Sequence, residues 1–266
     1  VLIIGSLYLL FTKGKNLGID FTGGNVIQIE FEKRPEISTV RDVISKIVAR
    51  EAMIQNFGEK GIIIRTNEDT EESREAVVKA LSAKYSDSKV TGFEKVGPVV
   101  GGELRRQAII GVTIALIAIL IYITLRFQFR FAVVSVVPLV HDVLIALGFF
   151  SVTQMEISSS FIAAILTIVG YSLNNTIIIL DRIRENWGTL SRKGIVNLVN
   201  EALNQTLGRT INTTLTTLFP VIALCVWGGP VLAAFSYAML IGIIAGTWSS
   251  VFVATGLLCE WQEKKN

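Results

Sequence analysis

From Gln107 onward the sequence is a series of apolar runs of about 20 residues, the length that a helix needs to cross the hydrocarbon core of a membrane. A helix satisfies its own backbone hydrogen bonds, which lipid cannot do. The composition agrees, with 51% hydrophobic and 18% charged residues. We therefore predict a polytopic α-helical membrane protein, with spans at residues 107–125, 131–151, 158–180, 210–227 and 231–258.

The remaining sequence divides into a short apolar start and a charged block. Residues 1–12 are apolar but too few to cross a membrane, and we interpret them as the outer half of a truncated first helix, which makes six helices. Residues 13–106 contain sixteen of the 25 Lys and Arg and fifteen of the 22 Asp and Glu, so their net charge is +1. This block is typical of a domain in water. We assign residues 107–260 to the membrane helices and 261–266 to a tail.

Basic residues are distributed unevenly among the short loops. The turn 126–130, the segment 181–209 and the tail together hold nine Lys and Arg, whereas the alternate loops 152–157 and 228–230 hold none. Cytoplasmic loops carry an excess of Lys and Arg. The sequence therefore predicts that both termini are cytoplasmic and that residues 13–106 are extracytoplasmic.

Within residues 13–106, alternating and amphipathic patterns predict a small α+β domain. Strands are expected at residues 25–31, 53–57, 62–65 and 89–96. One helix has Val40, Val43, Ile44 and Ile47 on a single face, and an acidic run opens a second helix that ends near Tyr85. The order βαββαβ is that of ferredoxin-like domains. This fold by itself indicates no function.

Polar side chains interrupt the apolar runs at a few positions. Asn174 and Asn175 lie in the fourth span, and His141 and Asp142 follow Pro138 in the third. An amide without a partner in hydrocarbon costs about 4–8 kcal/mol, so these groups are expected to face protein or water. His141 and Asp142 are candidates for a proton relay, with a buried pair that orients neighbouring helices as the alternative.

Helical spacing groups the remaining polar residues of the fourth and fifth spans into two stripes that could line a hydrated path. Arg209 begins the fifth span, where it either belongs to this path or extends to the cytoplasmic surface. Asp181 and Arg182 belong to a charged collar, and an amphipathic helix is predicted near residues 191–207 along the inner interface. The predicted stripes contain Ser172, Asn175 and Thr176 on the fourth span, and Arg209, Thr213, Thr216 and Pro220 on the fifth.

Two separated motifs resemble the SecD/SecF family of the RND superfamily. The octet Leu17-Gly-Ile-Asp-Phe-Thr-Gly-Gly24 is similar to the opening signature of that family, in which Gly18, Asp20, Gly23 and Gly24 are motif positions. The stretch Gly170-Tyr-Ser-Leu-Asn-Asn175, continued to Asp181 and Arg182, is similar to the fourth-helix motif of the SecF branch. The order of helices and the single outer domain extend this resemblance over essentially the whole chain.

The resemblance implies an accessory subunit of bacterial protein secretion. Such a subunit works in the plasma (inner) membrane with SecD and the SecYEG channel, and YajC is a further candidate partner. With SecD it uses the proton motive force to pull preproteins outward late in translocation. The lipid bilayer is the remaining partner, and no nucleic acid is expected. The alternative is an RND half-transporter that moves a small molecule or lipid by proton antiport.

One departure from the family pattern concerns the proton site. The family has an Asp after the Asn of the fourth-helix motif, where this chain has Asn175. An amide cannot take up or release a proton, although it resembles the protonated acid in shape and charge. Either the lineage moves protons through other groups, or the residue was replaced to hold one state. Arg209 matches an arginine of the family and would pair with the ionised acid in a relative.

Enzyme classes receive little support from the sequence. The chain has no CxxC, HExxH, GxxxxGK[ST] or GxSxG pattern and no basic-aromatic pattern for nucleic acid. An intramembrane enzyme that used His141 and Asp142 would lack a convincing nucleophile or a third metal ligand. We therefore predict no enzymatic activity, no metal and no cofactor.

Overall fold

The computed structural model describes residues 2–12, 14, 16–48, 52–66, 70–126 and 129–264. The chain forms two compact units. One comprises Leu17–Ile110, and the other comprises Val1–Asn16 together with Gly111–Asn266. The first helix, α1, is Leu2–Thr12 and belongs to the second unit.

The first unit is the predicted α+β domain. Its strands are antiparallel in the order β2-β3-β1-β4. Strands β1 and β2, which helix α3 connects, lie on either side of β3, and strands β3 and β4, which helix α4 connects, lie on either side of β1. The strands lie where the apolar alternation predicted them. Its elements in chain order are α2 (Ile19–Thr22), β1 (Gly24–Glu30), α3 (Ile37–Ile44), β2 (Met53–Phe57), β3 (Gly61–Thr66), α4 (Glu71–Lys84) and β4 (Lys89–Val96).

The core of this unit lies between the sheet and helices α3 and α4. The central strand β3 contributes Ile62 and Ile64, and the helices contribute Ile44 and Leu81, all with 0–1% of their surface exposed. Thr70 caps α4, because its side chain accepts a hydrogen bond from the backbone N–H of Ser73 at 3.4 Å. Burial of these apolar side chains is the main contribution to the stability of the unit.

A tight turn with two glycines connects α2 to β1. Gly23 has φ of 71° and Gly24 has φ of 132°, a region that other residues rarely adopt. A Cβ atom at Gly23 would also lie 2.9 Å from the Cα of Pro98. This turn therefore requires glycine at position 23 for both conformation and space.

The second unit is a helical bundle whose helices are long enough to span a membrane. Among the described residues, five helical segments have the required length and apolar character. Helix α5 (Pro98–Arg126) belongs to the first unit up to Ile110 and to the second unit from Gly111. The later helices are α6 (Phe129–Thr153), α7 (Ser159–Glu185), α8 (Leu190–Lys193), α9 (Ile195–Trp227), α10 (Gly229–Ser249) and α11 (Thr255–Glu263), with a 3₁₀ turn at Asn186–Thr189 and a π-helical segment at Ser250–Ala254. The predicted polytopic helical architecture is confirmed.

Helix α10 is the central element of the bundle and packs against α6, α7 and α9. Two glycines four residues apart permit its approach to α7. A Cβ at Gly242 would lie 2.3 Å from the Cδ1 of Ile168, and one at Gly246 would lie 2.9 Å from the Cβ of Ser172. Small residues at this spacing let membrane helices approach closely.

Helix α9 combines two predicted segments. Gly194, with φ of 74°, separates α8 from α9, and the helix then continues without interruption to Trp227. The amphipathic residues 195–207 are thus the first turns of the same helix that contains Arg209. The amphipathic part and the predicted fifth span therefore form one continuous helix.

Candidate functional site

A buried carboxylate near the middle of α6 is held by three helices of the bundle. Asp142 is 1% exposed. Its Oδ2 accepts hydrogen bonds from the hydroxyl of Ser172 on α7 at 2.6 Å and from that of Ser249 on α10 at 2.9 Å. Its Oδ1 lies 2.9 Å from Nδ1 of His141. A charge at this depth requires such partners.

His141 completes this group, which we call the Asp142 cluster (His141, Asp142, Ser172 and Ser249). The imidazole is 6% exposed and stacks on the indole of Trp248, with ring centroids 5.7 Å apart. With its proton on Nδ1, the ring donates to Asp142. The sequence placed His141 and Asp142 together, and the structure shows that they are in direct contact.

Gly246 allows helix α10 to pack closely against the Asp142 cluster. A Cβ at this position would lie 3.1 Å from the Ser172 hydroxyl oxygen and 3.3 Å from Oδ2 of Asp142. The helix backbone of α10 therefore passes directly beside the carboxylate. Only glycine leaves the hydrogen bond between Ser172 and Asp142 undisturbed.

We expect that Gly246→Ala destabilises the bundle by about 1–3 kcal/mol, because the added methyl group overpacks the contact between α7 and α10. Gly256→Ala is the matched control, since a Cβ there meets no atom within 4 Å. Thermal unfolding of the purified protein in detergent measures the difference. Equal midpoints for the two variants would contradict this account of Gly246.

A second group of hydroxyls connects α7, α9 and α10. Tyr171 donates to Thr214 at 3.2 Å, and the Thr214 and Thr247 hydroxyls are 3.0 Å apart. Tyr171 and Thr247 stand beside Ser172 and Trp248 in the sequence. The three hydroxyls of Tyr171, Thr214 and Thr247 therefore lie beside the Asp142 cluster, those of Tyr171 and Thr247 on the same turns of α7 and α10.

Asn175 lies one turn further along α7, fully buried. Neither its amide nitrogen nor its amide oxygen has a hydrogen-bond partner among the described residues, and the same holds for the hydroxyl of Thr210, which is 1% exposed. Helices α7 and α9 are antiparallel, because Tyr171 contacts Thr214 and Arg182 contacts Gln205. This register brings Asn175 and Thr210 to the same level of the interface. Both side chains are therefore buried polar groups at this level of the bundle.

The other polar residues predicted on the two helices divide into buried and exposed positions. Asn174 is exposed on α7, whereas Ser172 and Thr176 are buried. On α9 the buried polar face consists of Thr206, Thr210 and Thr214. The predicted stripe of that helix turns away from the bundle, with Arg209, Thr216 and Pro220 exposed and Thr213 half-buried.

Charged residues gather at the end of α7, as the predicted collar. Asp181 lies 2.8 Å from Arg184, and Arg182 lies 2.6 Å from Glu185. Arg182 also donates to Gln205 of α9 at 2.5 Å. The collar therefore fastens α7 to α9 at this end.

Sequence reasoning missed Ser249, Thr214 and Thr247. Ser and Thr occur in many membrane helices and bond to the preceding turn, as Thr247 does to the carbonyl of Ile243 at 2.8 Å. The available signal was the four-residue spacing of Thr206, Thr210 and Thr214. Among the described residues no group of three His, Cys, Asp or Glu could hold a metal.

Comparison with known proteins gives two family matches. Residues 76–264 match the family of protein export membrane proteins SecD/SecF, C-terminal region, and residues 8–33 match the SecD/SecF GG motif. The protein translocase subunit SecF of Calditerrivibrio nitroreducens is 42% identical, covering 97% of this chain and 88% of its own length. That of Helicobacter pylori is 40% identical, covering 96% and 80%.

Solved structures agree with these matches. The crystal structure of SecDF from Thermus thermophilus, a translocon-associated membrane protein, superposes with a TM-score of 0.91 and 38% identity. A structure of SecDF in the super-membrane-facing form has a TM-score of 0.73. This chain spans 98% of its own length in the first match but 36% of the SecDF chain. The chain therefore belongs to the SecD/SecF family, as a SecF subunit of the SecDF protein export machinery, and is a transport protein and not an enzyme.

Proposed function

We propose that this SecF subunit, together with SecD, uses proton flow to draw preproteins outward at a late stage of translocation. The observation that carries the proposal is the buried Asp142, held by Ser172 and Ser249 of neighbouring helices. A carboxylate at this depth is costly, and ionisable groups inside membranes commonly mark proton pathways. Binding and release of a proton by Asp142 shifts the equilibrium between two arrangements of the helices.

The orientation follows from the distribution of charge. We place both termini of the subunit in the cytoplasm, with the collar of Arg182 and Arg184 on that side of a bacterial inner membrane. The α+β unit is then extracytoplasmic, and its strand order supports a ferredoxin-like domain. In this position it meets preproteins as they emerge.

The partners of the proposed function are SecD, the SecYEG channel and YajC. SecD has the strongest support, because this chain corresponds to 36% of the SecDF chain of Thermus thermophilus. A separate SecD subunit would supply the other six-helix repeat of an RND-type assembly. Helix α5 is largely exposed, since only 6% of its most apolar 18-residue stretch is buried in this chain, so it can contact lipid or such a partner.

Asn175 and Arg209 lie in different surroundings, since Asn175 is buried and Arg209 is exposed. Asn175 is buried beside Thr210, and Arg209 stands next to Thr210 on the exposed side of α9. The amide at position 175 occupies the site of the family's acid in its uncharged form. Arg209 then faces the partner subunit, where a carboxylate would pair with it.

Proton-dependent export provides the test. Membrane vesicles containing the complex should export a preprotein faster with an imposed proton gradient than without one. Asn175→Asp should change this dependence on the gradient, because the new carboxyl group lies among buried residues and takes up a proton. Asn175→Leu is the matched control, since leucine has a similar size at the same buried position but cannot take up a proton. Equal gradient dependence of Asn175→Asp and the unmodified chain would refute a role of position 175 in protonation.

A further inference from the structure

The Asp142 cluster contains a hydroxyl group with two acceptors. The hydroxyl of Ser249 lies 2.9 Å from Oδ2 of Asp142 and 3.2 Å from the carbonyl oxygen of Gly246, one turn earlier on α10. In the described part of the chain, the hydroxyl of Ser172 has a single acceptor, Oδ2 of Asp142. The two serines therefore differ in what they can do when the charge of Asp142 changes.

An ionised Asp142 accepts three hydrogen bonds and donates none. Ser172 and Ser249 donate to Oδ2, and His141 donates to Oδ1 when its proton is on Nδ1. Once a proton from water binds Oδ2, the new O–H bond makes that oxygen a donor. A buried donor without an acceptor costs about 1–3 kcal/mol, so one of the two serines at Oδ2 must change from donor to acceptor. A proton on Oδ1 would instead require His141 to carry its own proton on Nε2 and accept at Nδ1.

Ser249 can make this change without moving its oxygen. Its hydrogen turns to the carbonyl of Gly246, and its lone pair then accepts the proton of Asp142. Ser172 would have to leave its own hydrogen without an acceptor. We propose that Ser249 is a positioning residue that keeps every group of the Asp142 cluster paired in both protonation states of the carboxyl. This inference rests on the proposed role of the subunit in proton flow.

The position of Ser249 in the fold supports this role. It is the last residue of α10, and the π-helical segment Ser250–Ala254 follows immediately. Short π-helical segments occur frequently at functional sites. The hydroxyl group thus acts at the point where the helix changes its hydrogen-bond pattern.

No other charged side chain of the packed elements contacts Asp142 among the described residues. Helix α7 carries Tyr171 beside Ser172, and its hydroxyl donates to Thr214 of α9 and not to the carboxyl. The nearest charged residue on α7 is Asp181, nine positions from Ser172 or about 13 Å along the helix. Helix α10 carries Tyr237 and α1 carries Tyr8, while the π-helical segment has no titratable group. On α11 the titratable groups are Cys259, Glu260 and Glu263, ten or more positions beyond Ser249. Among the titratable groups that the structure describes on these elements, His141 alone has a hydrogen bond to the carboxyl.

Infrared difference spectroscopy of the complex in lipid tests the proposal. The protonated carboxyl of Asp142 gives a band that Asp142→Asn removes. We expect Ser249→Ala to shift this band to higher frequency, because the O–H group loses its acceptor, and to lower gradient-dependent export about tenfold, the loss expected for one buried hydrogen bond. Ser249→Thr keeps the hydroxyl and should retain both band and export.

The remaining variants separate the possible outcomes. Ser172→Ala should shift the band less than Ser249→Ala, since Ser172 remains a donor in both states. If Ser249→Ala does not assemble, Ser249→Thr and Ser249→Val are compared instead. These two variants have the same shape, and only the first keeps the hydroxyl. An unshifted band in Ser249→Ala or Ser249→Val overturns the role of Ser249. Loss of the band without loss of gradient-dependent export in Asp142→Asn instead overturns the proposed function of Asp142.

Discussion

Asp142→Asn should reduce export by the complex to the rate measured without a proton gradient. Asn has nearly the same shape as Asp but cannot bind or release a proton. Its amide oxygen can accept from Ser172 and Ser249, as Oδ2 does in the native cluster. Its amide nitrogen can donate to Nδ1 of His141 in the other imidazole tautomer. The variant therefore keeps the hydrogen bonds of the cluster and removes only its titration.

The measurement is preprotein export into vesicles with and without an imposed gradient. Asp181→Asn is the matched control, because Asp181 is a partly exposed acid whose pair with Arg184 lies at the end of α7. Exposed ion pairs contribute about 0–1 kcal/mol, so this variant should export as the unmodified chain does. If Asp142→Asn retains full dependence on the gradient, the carboxyl group has a structural role only.

Leu81→Ala should destabilise the α+β unit by about 2–5 kcal/mol. Leu81 is 0% exposed and lies in the core between α4 and the sheet, where it packs with residues such as Ile44 and Ile64. Its truncation removes buried apolar atoms and leaves a cavity that the rigid sheet cannot fill. The helices of the bundle should keep their stability, since Leu81 belongs to the other unit.

Hydrogen exchange of the full chain in detergent measures this effect on the amides of β1 and β3. Since 1.4 kcal/mol is a factor of ten, exchange should accelerate about 30-fold or more in Leu81→Ala. Val99→Ala is the control in the same unit, because Val99 is 86% exposed. Exchange rates that are the same in both variants would show that Leu81 is not part of a cooperative core.

Patterns along one helix or strand predicted the elements well. The alternation in β1 and the length of the apolar runs depend only on neighbouring residues, so the strands and helices α6 and α7 lie close to their predicted ranges. Helix α5 begins at Pro98, nine residues before the predicted start of its span at Gln107. Helix α9 also differs from the prediction, because Gly208 does not end the amphipathic segment and the helix continues through it. Element existence was predictable, whereas continuity depended on packing against α7 and α10.

The candidate site was predictable in part. The sequence identified His141, Asp142 and Ser172, which are in one cluster. It oriented α9 by Arg209, whereas the buried polar face is that of Thr210 and Thr214. A charged residue at a helix end can extend to water whichever way the helix is rotated, so Arg209 is a poor guide to the rotation of its helix.

The sequence by itself determined that this chain crosses the membrane repeatedly, that one charged block forms a separate α+β unit, and that ionisable groups stand at bilayer depth. These properties follow from run length, alternation and the cost of burying charge. Only the tertiary structure decided that Ser249 and Ser172 meet at Asp142, while Asn175 stays without a partner among the described residues. These contacts depend on the rotation of each helix and on the close approach at Gly246. Both are determined by packing between helices that are distant in sequence.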